Sequence, residues 1–181
     1  MSAIFVRKEA TVPTTLYLLR HAKSSWADPE LQDHDRPLQK KGQRRAGKLR
    51  AWLEDRGLGC DLVLCSTAVR TKETLAIVLP ALGDPRVRHL PGIYGMDADR
   101  LIAMLRRLGD DIERIMVVGH DPTLQQTAST LAMTSNGDAM DRLKSRYPTS
   151  ALAMLTFSEA GWGALTPGLG HLEFFFVPPD P

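Results

Sequence analysis

Along this chain, short apolar runs alternate with stretches in which apolar residues return at helical spacing, the pattern of strands alternating with helices. Residues 16–19 read as a first strand. A helix is predicted over 39–56, with Ala46, Leu49, Trp52 and Leu53 on its buried face and Gly57 and Gly59 as stop signals. A second strand covers 62–65, followed by a helix over 68–82 that Ser66 or Thr67 can cap. Residues 87–90 are short and extended. Leu101, Ile102, Leu105 and Leu108 mark a helix begun near Asp97 or Asp99, with Arg106 and Arg107 favourable at its end. The run 115–118 is the most strand-like of all. After it, Asp121 can cap a helix whose first position is Pro122, with Leu124, Ala128 and Leu131 buried. Residues 134–147 show no clear period and are expected to form a surface excursion. Two last strands, 151–157 and 172–177, flank a glycine-rich turn region.

Strand and helix in alternation imply a three-layer α/β/α sandwich around a mostly parallel (mixed) central sheet. The length of 181 residues suits one domain. We expect a single domain over 1–181, with residues 1–14 as an N-terminal extension.

In parallel sheets, ligands bind beyond the carboxyl ends of strands. Leu19-Arg20-His21-Ala22-Lys23, Ser66-Thr67-Ala68-Val69-Arg70 and Val118-Gly119-His120-Asp121-Pro122 all lie at or just past such ends. His21, Arg20, Arg70 and His120 are therefore expected in one pocket. A lone histidine on a loop carries little information; two at strand ends carry much more. Two imidazoles with two guanidinium forks suit a phosphoryl group, because the forks match phosphate oxygens and a neutral imidazole can attack phosphorus. Arg70 falls in the first turn of its helix, where a cation opposes the helix dipole, so another interaction must compensate; a bound phosphate would do so. Arg36, on the loop leading into the first helix, is a lesser candidate for the pocket mouth. His34, His89 and His171 lack ligand spacing and read as ordinary.

Other chemistries fit less well. The chain has no G-x-S-x-G elbow, no G-x-G-x-x-G and no G-x-x-x-x-G-K-[ST]. Cys60 and Cys65 are the only two cysteines, too few for a zinc site, and their odd spacing along a strand puts them on opposite faces. No disulfide, metal or cofactor is expected, and the compartment reads as reducing and cytoplasmic. A net charge of +2 gives no case for nucleic acid. The densest basic patch, Lys40-Lys41, Arg44-Arg45, Lys48 and Arg50, reads as a solvated helix face. No apolar run is long enough to span a membrane, and Ile4-Phe5-Val6 is too short for the core of a signal peptide.

Five segments, in order, resemble motifs of the histidine phosphatase superfamily, the group containing phosphoglycerate mutases and acid phosphatases. Arg20-His21-Ala22 matches R-H-G with alanine for glycine. Arg36-Pro37-Leu38-Gln39-Lys40-Lys41-Gly42 resembles R-P-L-T-x-x-G, and residues 66–74 resemble S-P-x-x-R-x-x-x-T. Gly119-His120-Asp121-Pro122 resembles G-H-N-P, and Thr149-Ser150-Ala151 the late T-S-A segment. The likeness spans residues 15–177 and is greatest to the small phosphohistidine phosphatases of SixA type. It implies a phosphoglycerate mutase-like fold and a phosphatase without a metal. His21 would be the nucleophile that becomes a phosphohistidine, with Arg20, Arg70 and His120 holding the phosphoryl oxygens. Larger members carry a carboxylic acid after an aromatic residue near the third strand. Here Tyr94 is followed by Gly95, and the nearby Asp97 and Asp99 are read as serving a helix start. The expected substrate is a phosphohistidine protein, the alternatives being a small phosphorylated metabolite or a phospho-ligand held without turnover. A mutase is disfavoured because no long insertion is present to enclose a sugar or glycerate phosphate. The expected partner is thus a phosphorylated protein or small phosphate ester, not nucleic acid or membrane, and the chain is expected to be a monomer or weak dimer.

Overall fold

The computed structural model describes residues 13–109, 111–158 and 161–180. Seven strands form one sheet in the order β3-β2-β4-β1-β6-β7-β5. They are β1 (Thr14–Arg20), β2 (Leu62–Ser66), β3 (Arg86–Leu90), β4 (Arg114–Gly119), β5 (Ala132–Ser135), β6 (Leu152–Phe157) and β7 (Gly170–Phe176). β1 to β4 are mutually parallel where they pair. β6 runs antiparallel to both β1 and β7, so the sheet is mixed.

The central strands are buried on both faces, as near-continuous apolar runs require. Leu16, Leu18, Leu62, Leu64, Ile115 and Val117 point to one side. There they meet Leu101, Ile102 and Leu105 of α3 (Ala98–Leu105), Leu124 and Leu131 of α4 (Thr123–Leu131), and Leu143 of α5 (Ala139–Ser145). Tyr17, Leu19, Val63, Cys65, Met116 and Val118 point to the other side, against Leu49 and Leu53 of α1 (Lys40–Asp55) and Leu75 and Val78 of α2 (Val69–Val78). This is the expected three-layer sandwich, built from the period-two alternation of side chains along each strand. The edge strand β3 exposes Arg86, Val87, Arg88 and His89, and the two arginine charges are of a kind that keeps an edge from pairing with other chains.

Several local expectations change. Residues 134–147 are not an excursion: β5 pairs with β7, and the segment buries Ala139, Leu143 and Tyr147. Their apolar positions are too few for a visible period because α5 spans only 7 residues. Most of the expected N-terminal extension lies outside the described residues, and Thr14 already belongs to β1. Neither Ser66 nor Thr67 is the N-cap of α2. Ala68 holds that place without a side-chain cap, the Ser66 hydroxyl pairs with His120 Nε2 at 2.9 Å, and the Thr67 hydroxyl with His34 Nε2 at 3.1 Å. α2 stops at Val78 and gives way to a 3₁₀ turn containing Pro80 (Leu79–Ala81), since proline has no N–H to continue the ladder. Likewise Pro122 is the N-cap residue of α4 rather than its first residue, and Asp121 lies further out, 3.7 Å from Arg20. The basic face of α1 is partly covered by the chain itself: Lys41 pairs with Asp180 at 3.2 Å, Arg45 donates to the Pro178 carbonyl and Lys48 to that of Asp180. Among the described residues no helix is long and apolar enough to cross a membrane.

Candidate active site

β1 and β4 are neighbours in parallel register, with Arg20 opposite Gly119, so the residues that follow them emerge side by side. The rings of His21 and His120 accordingly stand 5.2 Å apart. The loop after β1 is fixed from three directions. The His21 N–H donates to the Gly119 carbonyl (3.1 Å), and the Ala22 N–H donates to Thr74 Oγ1 (2.9 Å). The Ser150 N–H lies between the carbonyls of Arg20 and His21 (3.2 and 3.1 Å). Ser150 reaches both through a left-handed backbone, φ 65°, which is costly for a residue with a side chain and persists only where surroundings over-determine it.

All four residues singled out from the sequence line one cavity of about 570 Å³, together with Asp33, Arg36, Tyr94, Trp26 and Asp121. Arg36 belongs to this wall outright: it is buried, donates to Ser24 Oγ (2.8 Å) and to Asp33, and its guanidinium lies 3.4 Å over the exposed Trp26 ring. Asp97 does serve its helix start, accepting from the Arg100 N–H at 2.8 Å, and neither it nor Asp99 lines the cavity.

The two imidazoles are held neutral. His21 Nδ1 lies 2.7 Å from the Ala22 carbonyl, which can only accept, so Nδ1 carries the proton and Nε2 presents a lone pair. That lone pair accepts from Arg70 Nε at 3.4 Å. Burial above all pushes the His21 pKa down to about 4, with the guanidiniums of Arg70, Arg20 and Arg36 adding to it against the Ala22 hydrogen bond. Burial likewise lowers His120 to about 3, with His21 and Arg70 contributing.

Arg70 is used at both of its edges. Nε and Nη2 face His21 and His120 (3.4 and 3.5 Å), while Nη1 and Nη2 reach the main-chain carbonyl and, at 2.9 Å, the carboxylate of Asp33. Asp33 thus supplies, in this structure, the compensation that a cation in the first helical turn requires. Its carboxylate also accepts from Arg36 Nε (3.0 Å) and from the Tyr94 hydroxyl (2.6 Å). These partners, Tyr94 foremost, hold the Asp33 carboxyl well below the usual carboxylate range. Sequence reasoning missed Asp33, Tyr94 and Trp26 as pocket residues. The Asp33–Arg36 spacing of a salt-bridged i,i+3 pair was the one available signal, and it is weak.

Arginine forks and neutral imidazoles converging on one floor can bind a phosphoryl dianion and attack it. Among the described residues no group of three or more His, Cys, Asp or Glu could hold a metal ion.

The model of the histidine phosphatase superfamily (branch 1) matches residues 16–100. An uncharacterized protein of Mycobacterium tuberculosis is 39% identical over 165 residues, covering 88% of this chain and 99% of its own. A candidate phosphohistidine phosphatase SixA from Nakamurella multipartitia superposes with a TM-score of 0.79 at 31% identity, over 92% of this chain and 96% of that one. The fold is also that of the protein histidine phosphatase SixA complexed with tungstate (TM-score 0.73, 21% identity, 91% and 97% covered). The chain belongs to the histidine phosphatase superfamily, and its fold is phosphoglycerate mutase-like.

Proposed function

We propose that this protein is a metal-independent phosphatase that acts through a phosphohistidine on His21, with phosphohistidine in a protein as its substrate. The observation that carries this reading is the His21 tautomer. With its proton donated to the Ala22 carbonyl, the ring aims a neutral Nε2 lone pair at the floor of an arginine-lined pocket.

His21 Nε2 attacks phosphorus, and the bond from phosphorus to the leaving atom breaks in line on the far side. Arg20, Arg70 and His120 hold the equatorial oxygens, where charge spreads in the transition state. A phosphoryl dianion beside His120 offsets the positive charges that disfavour its imidazolium, so this ring can become a donor once substrate is bound. Water then hydrolyses the phosphohistidine and returns neutral His21. The floor is buried while Trp26, Tyr94 and Asp33 at the mouth are exposed, an access that suits a side chain offered by another protein. The free, buried thiols of Cys60 and Cys65 suit the reducing cytoplasm.

Rapid quench with ³²P-labelled substrate should trap an acid-labile, base-stable adduct on the His21 peptide. His21→Ala should lose several orders of magnitude in kcat, and wild-type turnover should survive exhaustive chelation. Full activity in His21→Ala would falsify the mechanism.

A further inference from the structure

The His21 nucleophile attacks from the buried floor, so the leaving group departs toward the mouth, where one carboxylate stands against the reacting face of Arg70. We propose that Asp33 is a specificity-determining residue that selects a protonated nitrogen leaving group, the imidazolium of phosphohistidine, over the oxyanion of a phosphate ester. This rests on the phosphatase reading above.

The placement comes from a shared guanidinium. Arg70 offers Nε to His21 Nε2 (3.4 Å) and, through Nη2, contacts Asp33 Oδ2 (2.9 Å), so nucleophile and carboxylate are one guanidinium apart. Arg36 fixes the same carboxylate from the other side, and the Tyr94 hydroxyl donates to it at 2.6 Å. The carboxylate is nevertheless about half open to the pocket mouth, with side-chain exposure of 47%. Its acceptor positions are filled here, Oδ1 by Arg36 Nε and Nη2 and Oδ2 by Arg70 Nη2 and the Tyr94 hydroxyl, so a leaving-group N–H takes the Oδ2 position that Arg70 gives up when its guanidinium turns to the phosphoryl oxygens. Nor is it suited to give up a proton: the hydrogen bonds from Tyr94, Arg36 and Arg70 keep it ionised.

The chemistry follows from where the electron pair goes. When phosphorus moves to His21 Nε2, the pair of the broken P–N bond stays on the substrate ring nitrogen. An unprotonated ring would leave as imidazolate, a strong base. A ring protonated on its other nitrogen leaves as neutral imidazole and keeps that proton throughout. An ionised carboxylate facing that N–H favours the protonated ring, so no acid has to deliver a proton at the moment of cleavage. A phosphate ester gains nothing from it, since its departing oxygen becomes negative beside a negative carboxylate. The same residue accounts for a pocket that lacks an acid after Tyr94.

The test compares a phosphohistidine peptide with p-nitrophenyl phosphate on wild type, Asp33→Asn and Asp33→Glu. Asparagine keeps an oxygen for Arg70 and Tyr94 but removes the charge. The ratio of kcat/KM for the peptide to that for the ester should fall about 10- to 100-fold in Asp33→Asn, the worth of one charge-assisted hydrogen bond, and recover in Asp33→Glu. The alkaline limb of kcat for the peptide, which reports the bound substrate, should move to lower pH in Asp33→Asn. The charged and titratable groups around Asp33 that bear on this limb are Arg36, Arg70, Tyr94, His34 and His120, all present in both proteins. Equal losses on both substrates, with an unmoved limb, would make Asp33 only a buttress for Arg70 and overturn the proposal. A wild-type protein that turns over neither substrate would instead overturn the phosphatase reading itself.

Discussion

A methyl group added at Gly42 tests how tightly the nucleophile's loop is set by a helix that contributes no catalytic side chain. Gly42 lies in the first turn of α1, and a Cβ there would meet the Lys23 carbonyl oxygen at 2.2 Å, with the Lys23 N and C at 2.9 and 3.0 Å. All three are backbone atoms two residues from His21. Ordinary contact begins at 3.4 Å, so something must yield by about 1.2 Å. The Lys23 carbonyl also accepts the Gln39 N–H at 3.0 Å, which ties the same segment to the start of α1. Replacing glycine by alanine in a helix gains about 0.5–1 kcal/mol, while overpacking costs about 1–3 kcal/mol. Gly42→Ala should therefore destabilise by about 0–2.5 kcal/mol. Its effect on rate should be larger, because a reacting group displaced by about 1 Å can lose about 100-fold in kcat. Gly47, one turn further along α1, has nothing within 4 Å of its Cβ position. Gly47→Ala should gain about 0.5–1 kcal/mol and leave turnover unchanged. Denaturant unfolding and kcat on an aryl phosphate measure both variants. Equal stability and equal activity in the two would refute the steric argument.

Two further outcomes follow from the buried polar groups. Because folding lowers His21 from the ordinary 6.5 to about 4, the unfolded chain binds more protons between those values, and stability falls as pH drops through that window. From pH 7 to 5 this group alone should cost about 2 kcal/mol, a loss that His21→Gln escapes; equal pH dependence of unfolding in the two proteins would show that His21 titrates normally. Tyr147 is fully buried and its hydroxyl donates to the Leu18 carbonyl in the middle of β1, so Tyr147→Phe should cost about 1–2 kcal/mol in denaturant unfolding, and an unchanged midpoint would mean the carbonyl finds another donor.

The sequence by itself determined the sheet and where ligands meet it. The runs at 16–19, 62–65 and 115–118 are apolar on both faces, which only strands covered by helices on two sides can satisfy, and the structure bears out that sandwich. Strand-end position then brought Arg20, His21, Arg70 and His120 to one place, because parallel strands in register deliver their last residues together. Short or unpatterned pieces were not legible: α5 is a two-turn helix whose burial depends on β7, and Ser66 and Thr67 gave their hydroxyls to histidines distant in sequence rather than to the helix beside them. Tertiary structure alone decided the electrostatics of the site. The His21 tautomer depends on the Ala22 carbonyl, in a loop that Thr74 and Ser150 hold through neighbouring backbone groups, and the clasp of Arg70, Arg36 and Tyr94 on Asp33 joins three segments. The contacts that bring Arg70 and Tyr94 to Asp33 join residues far apart in the chain, and periodicity, which records only which face of its own element a residue occupies, carries no trace of them.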